Sequence, residues 1–319
     1  MTMPLRTGEP AQLGDYKLEA RLGSGGMGTV YLGRARDGRR VAIKVIRQDL
    51  SWDDELRGRF RSEVNRVRQV PSFSTAAVLD ADPDHDPPYL VVEYVDGPSL
   101  ATVVRERGPL SSDALHSMAI GISTALVAIH GAGVIHRDLK PGNVLFALGG
   151  VKVIDFGIAR PLEVTSQHTR TDQMVGTVAY MAPERFDTDS AGPVTPAADI
   201  FAWGVVVMFA ATGRTPFGAE SAPATAMRIL TQEPDLTGLT APLRTLVASA
   251  LATSVRNGAV SPVRSGSWVR MRIAVAGADS APNGVRPVAA NITTTPHAKM
   301  SAAGVTGPAE SVSKRSGAM

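Results

Sequence analysis

His136-Arg137-Asp138-Leu139-Lys140-Pro141-Gly142-Asn143, followed shortly by Asp155-Phe156-Gly157, decides how this chain is read. The first string places an acid, an ammonium and an amide on one short loop. The second adds a carboxylate ahead of a flexible glycine. Such a set can position a hydroxyl, grip a phosphate and offer oxygen ligands to hard metal ions, as phosphoryl transfer from a nucleotide requires.

Upstream, residues 16–22, 29–36 and 41–47 read as strands, rich in Tyr16, Val30, Tyr31, Val41, Ile43 and Val45 and separated by glycine-rich or Asp37-Gly38 turns. Between the first two lies Gly23-Ser24-Gly25-Gly26-Met27-Gly28. Glycine lets backbone N–H groups approach phosphate oxygens with no Cβ in the way. By itself such a run is equally a flexible hairpin. No Gly-Lys-Ser/Thr closes it, and a strand rather than a helix comes next, so neither a Walker A loop nor a Rossmann site fits. Ser51 can cap a helix running through Phe60, Val64 and Val67 to Val70, where Pro71 ends it. Strands are expected near 77–79 and 89–92, with an acidic, proline-rich loop over 80–88. Past Asp96-Gly97 the pattern turns helical: Leu115, Met118, Ile122, Leu126 and Ile129 recur at helical spacing. Short strands flank the catalytic string at 144–146 and 151–154, and helices return around 199–211, 222–230 and 242–252. The expected fold is α+β, two-lobed, with a small antiparallel β-rich lobe carrying one helix and a mainly α larger lobe.

Two further strings complete the pattern, Val41-Ala42-Ile43-Lys44 and Gly176-Thr177-Val178-Ala179-Tyr180-Met181-Ala182-Pro183-Glu184. With them, residues from about 14 to 252 resemble the eukaryotic-like (Hanks-type) serine/threonine protein kinases of bacteria. The resemblance implies ATP and Mg2+ (with Mn2+ as a substitute), and transfer of the γ-phosphoryl to Ser or Thr hydroxyls of protein substrates. It assigns Asp138 as catalytic base, with Lys140 neutralising the transferred group and Thr177 bridging the two. Lys44 would hold the α- and β-phosphates and pair with Glu63 on the small lobe's helix. Asn143 and Asp155 would ligate the metal. Leu22, Gly23, Ser24, Gly25, Gly26, Met27 and Gly28 would cover the phosphates. Val30, Ala42 and Leu145 would sandwich the base, with Glu93-Tyr94-Val95 as hinge and Val92 as gatekeeper. His136 and Asp199 receive structural roles. Arg137 would grip a phosphate on Thr169 or Thr171, with Thr165 and Ser166 as further acceptors; the plain alternative for each is a solvated hydroxyl.

The resemblance stops near Thr253. An Asp-Pro…Arg-Pro segment and a last helix are expected there, but Ser254-Val255-Arg256-Asn257-Gly258 stands in that place. The arginine that would pair with Glu184 is therefore missing, unless Arg256 or Arg264 replaces it. The abrupt change has the look of a shifted reading frame. The expected organisation is an N-terminal extension over 1–13, a small lobe over 14–95, a large lobe over 96–253 and a basic, low-complexity tail over 254–319.

Composition sharpens this. The pI of 9.3 belongs to the tail: residues 255–319 carry 8 Lys+Arg against 2 Asp+Glu, leaving 25 basic and 28 acidic residues elsewhere. No nucleic-acid partner is therefore expected. With 0 cysteines there are neither disulfides nor thiolate metal sites. Met1 to Pro10 has no apolar run and no stretch reads as a membrane span, so a cytoplasmic protein is expected. A homodimer is among the partners the resemblance implies. Two other readings compete: a catalytically weak kinase-like nucleotide-binding module, and a small-molecule phosphotransferase of the same fold. Arg137, Lys140 and Thr177 argue against the second.

Overall fold

The computed structural model describes residues 2–25, 28–46, 54–155, 177–186 and 194–252. The expectations for Gly26, Met27, Ser51, Thr165, Ser166, Thr169, Thr171, Arg256, Arg264 and the 254–319 tail lie outside the described residues. The chain divides into units over 1–280 and 281–319, and every described residue lies in the first.

The small lobe is an antiparallel sheet of β1 (Gln12–Leu13), β2 (Tyr16–Gly25), β3 (Gly28–Arg34), β4 (Arg40–Ile46), β5 (Val78–Asp82) and β6 (Tyr89–Glu93), ordered β1-β2-β3-β4-β6-β5. α1 (Asp54–Val67) packs on it. Alternation along each strand divides the faces. Tyr31, Val41, Ile43 and Val91 enter an outer cluster with Leu13, Leu18 and Tyr89. Val30 stands opposite Lys44 and Leu32 opposite Ala42, which puts these four on the other face. Ile46 and Leu90 join Phe60, Val64 and Val67 of α1 in the main core, which continues into the large lobe. The strand expectations hold to within a few residues. Residues 12 and 13 pair with β2 and Met3 bridges to Arg21, so this segment belongs to the sheet.

The large lobe holds α2 (Leu100–Arg107), α3 (Ser112–Gly131), the hairpin β7 (Val144–Ala147) and β8 (Gly150–Val153), α4 (Pro196–Thr212), α5 (Ala222–Thr231) and α6 (Leu243–Ala252). α3 and α4 are its spine. Ser111 caps α3, Thr195 caps α4 with Pro196 in the first turn, and Gly213 closes α4 at φ 73°. α4 buries residues all round its circumference, and the Trp203 indole N–H donates to the Ala119 carbonyl at 3.2 Å, tying it to α3. α3, at 20 residues with a mean hydropathy of 1.4, is long and apolar enough to cross a bilayer. Its apolar face (Leu115, Met118, Ile122, Leu126, Ile129) is instead packed in the main core.

Candidate active site

The catalytic string forms a loop between α3 and β7, anchored from beneath by the first turn of α4. Asp199, only 1% exposed, accepts hydrogen bonds at 2.8 Å from the His136 N–H, the Arg137 N–H and His130 Nε2. Burial pushes its carboxyl upward. The hydrogen bond from His130 and the neighbouring histidines and His136 N–H outweigh that and hold it below the ordinary value. His136 is fully buried, as its structural reading required. Its Nδ1 accepts from the Asp138 N–H at 3.2 Å, so Nε2 carries the proton and donates to the Ile154 carbonyl at 3.0 Å. The Ile154 N–H in turn donates to the Asn143 carbonyl at 2.9 Å, so both ends of the loop are sewn to the exit of β8.

Inside that frame Asp138 Oδ2 accepts from Lys140 Nζ at 2.8 Å and from Asn143 Nδ2 at 3.2 Å. Asn143 Nδ2 also reaches the Asp138 carbonyl at 2.8 Å, which turns the amide oxygen the other way. Asp138 is buried, while Lys140 retains 31% side-chain exposure and can meet an incoming anion. Two non-glycine residues adopt left-handed backbone here, Arg137 at φ 64° and Asp155 at φ 62°. Each such conformation costs about 1–3 kcal/mol and persists only where its surroundings enforce it. For Arg137 they do so from two sides, since Asp199 takes its N–H and Arg185 Nη1 donates to its carbonyl at 2.8 Å.

The small lobe contributes Lys44 from the inner face of β4, and here the sequence expectation is corrected. Lys44 pairs with Asp155, and Glu63 of α1 pairs with Arg137, Nη1 to Oε1 at 3.2 Å. The expected Lys44–Glu63 pair is thus exchanged for two others. Both exchanges leave each charge matched, so no buried charge stands alone to oppose the arrangement. Burial raises the Glu63 carboxyl above its ordinary value, although Arg137 pulls the other way. Arg137, expected to grip a phosphate, is engaged by this carboxylate.

Leu22, Gly23, Ser24 and Gly25 end β2, and Gly28 and Val30 begin β3. Gly28, at φ 142°, has the Val45 carbonyl oxygen 1.8 Å from where a Cβ would stand, so only glycine fits. Leu22, Val30, Ala42 and Leu145 are half-buried and belong to neither core cluster. They form apolar surface suited to the face of a base. At the hinge, the Glu93 carboxylate is bonded to Lys152 Nζ at 2.6 and 2.8 Å and its N–H to the Ala77 carbonyl at 2.8 Å, while Val95 is 9% exposed. A base placed there would meet backbone groups. Gly97 lets the following chain run against β7, since a Cβ would stand 2.0 Å from the Phe146 carbonyl oxygen. Thr177 opens a turn in which its carbonyl accepts from the Tyr180 N–H at 3.1 Å.

Among the described residues no group of three or more His, Asp or Glu could hold a metal unaided. Asn143 and Asp155 supply oxygen donors only. Such a sparse, hard set fits Mg2+ shared with substrate phosphates rather than caged by protein. The sequence reading missed His130, Arg185 and Lys152. Each bonds a partner remote in the chain, and no local pattern marks it.

Residues 16–252 match the family model described as protein kinase domain. The chain is 47% identical over 247 residues to the "Probable serine/threonine-protein kinase PkwA" of Thermomonospora curvata, covering 77% of this chain and 33% of that protein. It is 45% identical to the serine/threonine-protein kinase AfsK of Streptomyces griseus, with 82% and 32% covered. Against the serine/threonine-protein kinase PknB of Mycobacterium tuberculosis the identity is 36%, with 78% and 41% covered. The chain thus spans about a third of the length of the first of these relatives. A crystal structure of Rad53 1-466 in complex with AMP-PNP superposes with a TM-score of 0.60 at 24% identity, covering 74% of this chain and 60% of that one, a likeness of fold.

Proposed function

Since this chain belongs to the protein kinase family, we propose that it transfers the γ-phosphoryl of ATP to serine and threonine hydroxyls of proteins. The observation that carries this reading is the Asp138 carboxylate, buried in a loop fixed by Asp199 and bonded to Lys140 at 2.8 Å. In that position Asp138 orients the acceptor hydroxyl and takes its proton, and Lys140 swings from Asp138 toward the transferred phosphoryl, whose charge it offsets. Thr177 bridges the two once substrate is seated. Lys44 meets the α- and β-phosphates, which draw it from Asp155. The Gly-rich hairpin lies over the phosphates and the apolar surface of Val30, Ala42 and Leu145 holds the adenine, with hinge backbone groups at Glu93 and Val95 reading its edge. Asn143 and Asp155 hold Mg2+, which when bound neutralises phosphate charge.

The Lys44–Asp155 and Glu63–Arg137 pairs describe a resting arrangement, and the working one brings Glu63 to Lys44. Autophosphorylation of Thr169 or Thr171 supplies a doubly charged competitor for Arg137. Association of two small lobes into a homodimer is part of the same reading, as is a cytoplasmic location, where ATP is abundant. The weak-binding-module alternative is not supported: the relatives at 45–47% identity are named serine/threonine-protein kinases, and the chain carries Lys44, Asp138, Lys140, Asn143 and Asp155.

The test is ATP-dependent labelling of the purified chain and of a generic Ser/Thr substrate, with Asp138→Asn as control. The substitution is expected to lower transfer by about 10²–10⁴-fold while nucleotide binding and the melting temperature stay. Transfer retained at near wild-type rate in that variant sinks the assignment.

A further inference from the structure

The segment ahead of β2 is joined to the small lobe at one particular place. Along the outer edge of β2, Gln12 and Leu13 pair with Lys17 and Tyr16, and the Leu18 N–H donates to the Ala11 carbonyl at 2.9 Å. Met3 and Arg21 exchange both backbone hydrogen bonds, at 2.8 and 2.7 Å. Residues 3–13 thus form a strap that covers this edge as far as Arg21. The ladder shifts once within the strapped stretch, between Leu18 and Ala20, and again just past Arg21: Arg21 faces Tyr31, but Gly23 faces Val30, so Leu22 is the extra residue of a bulge. A bulge bends its strand and re-aims the residues beyond it. The strapped part of β2 therefore ends at the hinge of the Gly-rich hairpin.

Side chains reinforce that end. Glu9 Oε1 accepts from the Tyr31 hydroxyl at 3.1 Å and lies 3.3 Å from Arg21 Nε, while Oε2 accepts from the Arg6 N–H at 2.7 Å. Arg21 and Tyr31 are 4% and 6% exposed. One carboxylate of the strap is thus hydrogen-bonded to β3 through Tyr31 and ion-paired with Arg21 of β2, whose Nε makes no hydrogen bond of its own among the described residues, at the last regular pair before the bulge. Burial pushes the Glu9 carboxyl upward, but the Arg6 N–H, the Tyr31 hydroxyl and the Arg21 charge outweigh it and hold it below its ordinary value. Leu5 packs on the outer cluster from above. Shielding a sheet edge needs only the backbone pairing. A buried arginine matched by a strap carboxylate at the hinge is more than that task requires.

We propose that the strap is a positioning device for the Gly-rich hairpin: Glu9, through the Arg21–Tyr31 pair, fixes the angle at which Leu22–Gly25 and Gly28–Val30 stand over the nucleotide phosphates, and so sets ATP affinity. This rests on the nucleotide reading of the site above. The test uses the full chain and Glu9→Ala, with Glu9→Gln as a milder variant that keeps an acceptor for Tyr31 but drops the charge. Three quantities are read: the Kd for Mg-ATP by calorimetry, KM and kcat with ATP varied, and amide hydrogen exchange over residues 22–30 without nucleotide. Glu9→Ala is expected to raise Kd and KM about three- to tenfold, as loss of one or two net hydrogen bonds implies. Its kcat at saturating ATP should stay within about twofold, since the chemistry is untouched. Exchange over 22–25 should quicken, with Glu9→Gln intermediate in each readout. Wild-type Kd and wild-type exchange in Glu9→Ala overturn the proposal. So does a joint fall of kcat, affinity and melting temperature in both variants, which is the mark of a merely structural role. Failure of the wild-type chain to bind ATP counts against the nucleotide reading instead, and the exchange experiment then still decides whether the strap holds the hairpin.

Discussion

The catalytic loop and the charges around Lys44 sit side by side and are held in different ways. In the loop the anchors' partners are fixed by the backbone: Asp199 meets two successive backbone N–H groups, and His136 spans the Asp138 N–H and the Ile154 carbonyl. Around Lys44 there are two cations and two carboxylates, and they pair Lys44–Asp155 and Glu63–Arg137 although the other pairing satisfies the same charges. Backbone-directed bonds specify a single arrangement. Side-chain ion pairs on separate elements have no such backbone constraint on their partner, and the proposed function places its exchange there. Under the proposed function, the backbone-held loop carries the chemistry and the ion pairs its control.

The largest effect that can break this comparison is on the rigid side. Asp199→Ala leaves two buried N–H groups and the His130 ring without their acceptor. It is expected to lower unfolding free energy by about 3–5 kcal/mol, a large share of the 5–15 kcal/mol typical of a domain. Urea denaturation measures it. A loss below about 1 kcal/mol, the scale of an exposed pair, would mean that the loop is held by something other than this carboxylate.

A smaller effect sharpens the exchangeable side. In double-mutant cycles on the unphosphorylated, nucleotide-free chain, Glu63→Gln and Arg137→Gln should couple by about 0.5–1 kcal/mol in stability, the low end of contacting pairs. Glu63→Gln and Lys44→Met should be additive within experimental error. The reverse pattern would place Glu63 on Lys44 in the resting state and remove the exchange. Saturating Mg-ATP should weaken the first coupling and create the second.

Legibility in the sequence divides along the same line. His136, Asp138, Lys140 and Asn143 lie within one loop, where their relative positions are set by chain adjacency and the backbone, so reading the string was nearly reading the site. The strands were legible from alternation and turns, and α3 from its 3.6-residue period. Glu63–Arg137 was not, because the partners lie 74 residues apart and either cation suits the carboxylate equally well by type. His130 on Asp199 and Lys152 on Glu93 are the same kind of contact. The strap's hold on the sheet was not legible for a different reason: it is made by backbone bonds at Met3 and Ala11 and by one carboxylate at Glu9, in a segment with no strand period of its own.

The smallest effect is a pH dependence whose sign differs between the two regions. The Asp199 carboxyl lies below its ordinary value of 3.8 in the folded chain. The stability it contributes is present above that pH and is lost as pH falls through the folded value, giving an acid limb. The Glu63 carboxyl lies above its ordinary 4.5, because burial outweighs Arg137. The folded chain therefore binds its proton more tightly than the unfolded chain does, and stability falls as pH rises from 4.5 through the folded value. Glu63→Gln removes that penalty. Its stability relative to wild type should climb between about pH 4 and the folded pKa of Glu63, then level off, as urea unfolding at stepped pH would record. A difference that stays flat, or falls with rising pH, would mean that a cation beyond Arg137 stabilises the Glu63 carboxylate. Arg66 already lies close enough to lower the Glu63 carboxyl, and Lys44 is the cation that the expected Lys44–Glu63 pairing would bring to it, so the same slope measured in an Arg66→Gln background separates the two arrangements without any measurement of activity.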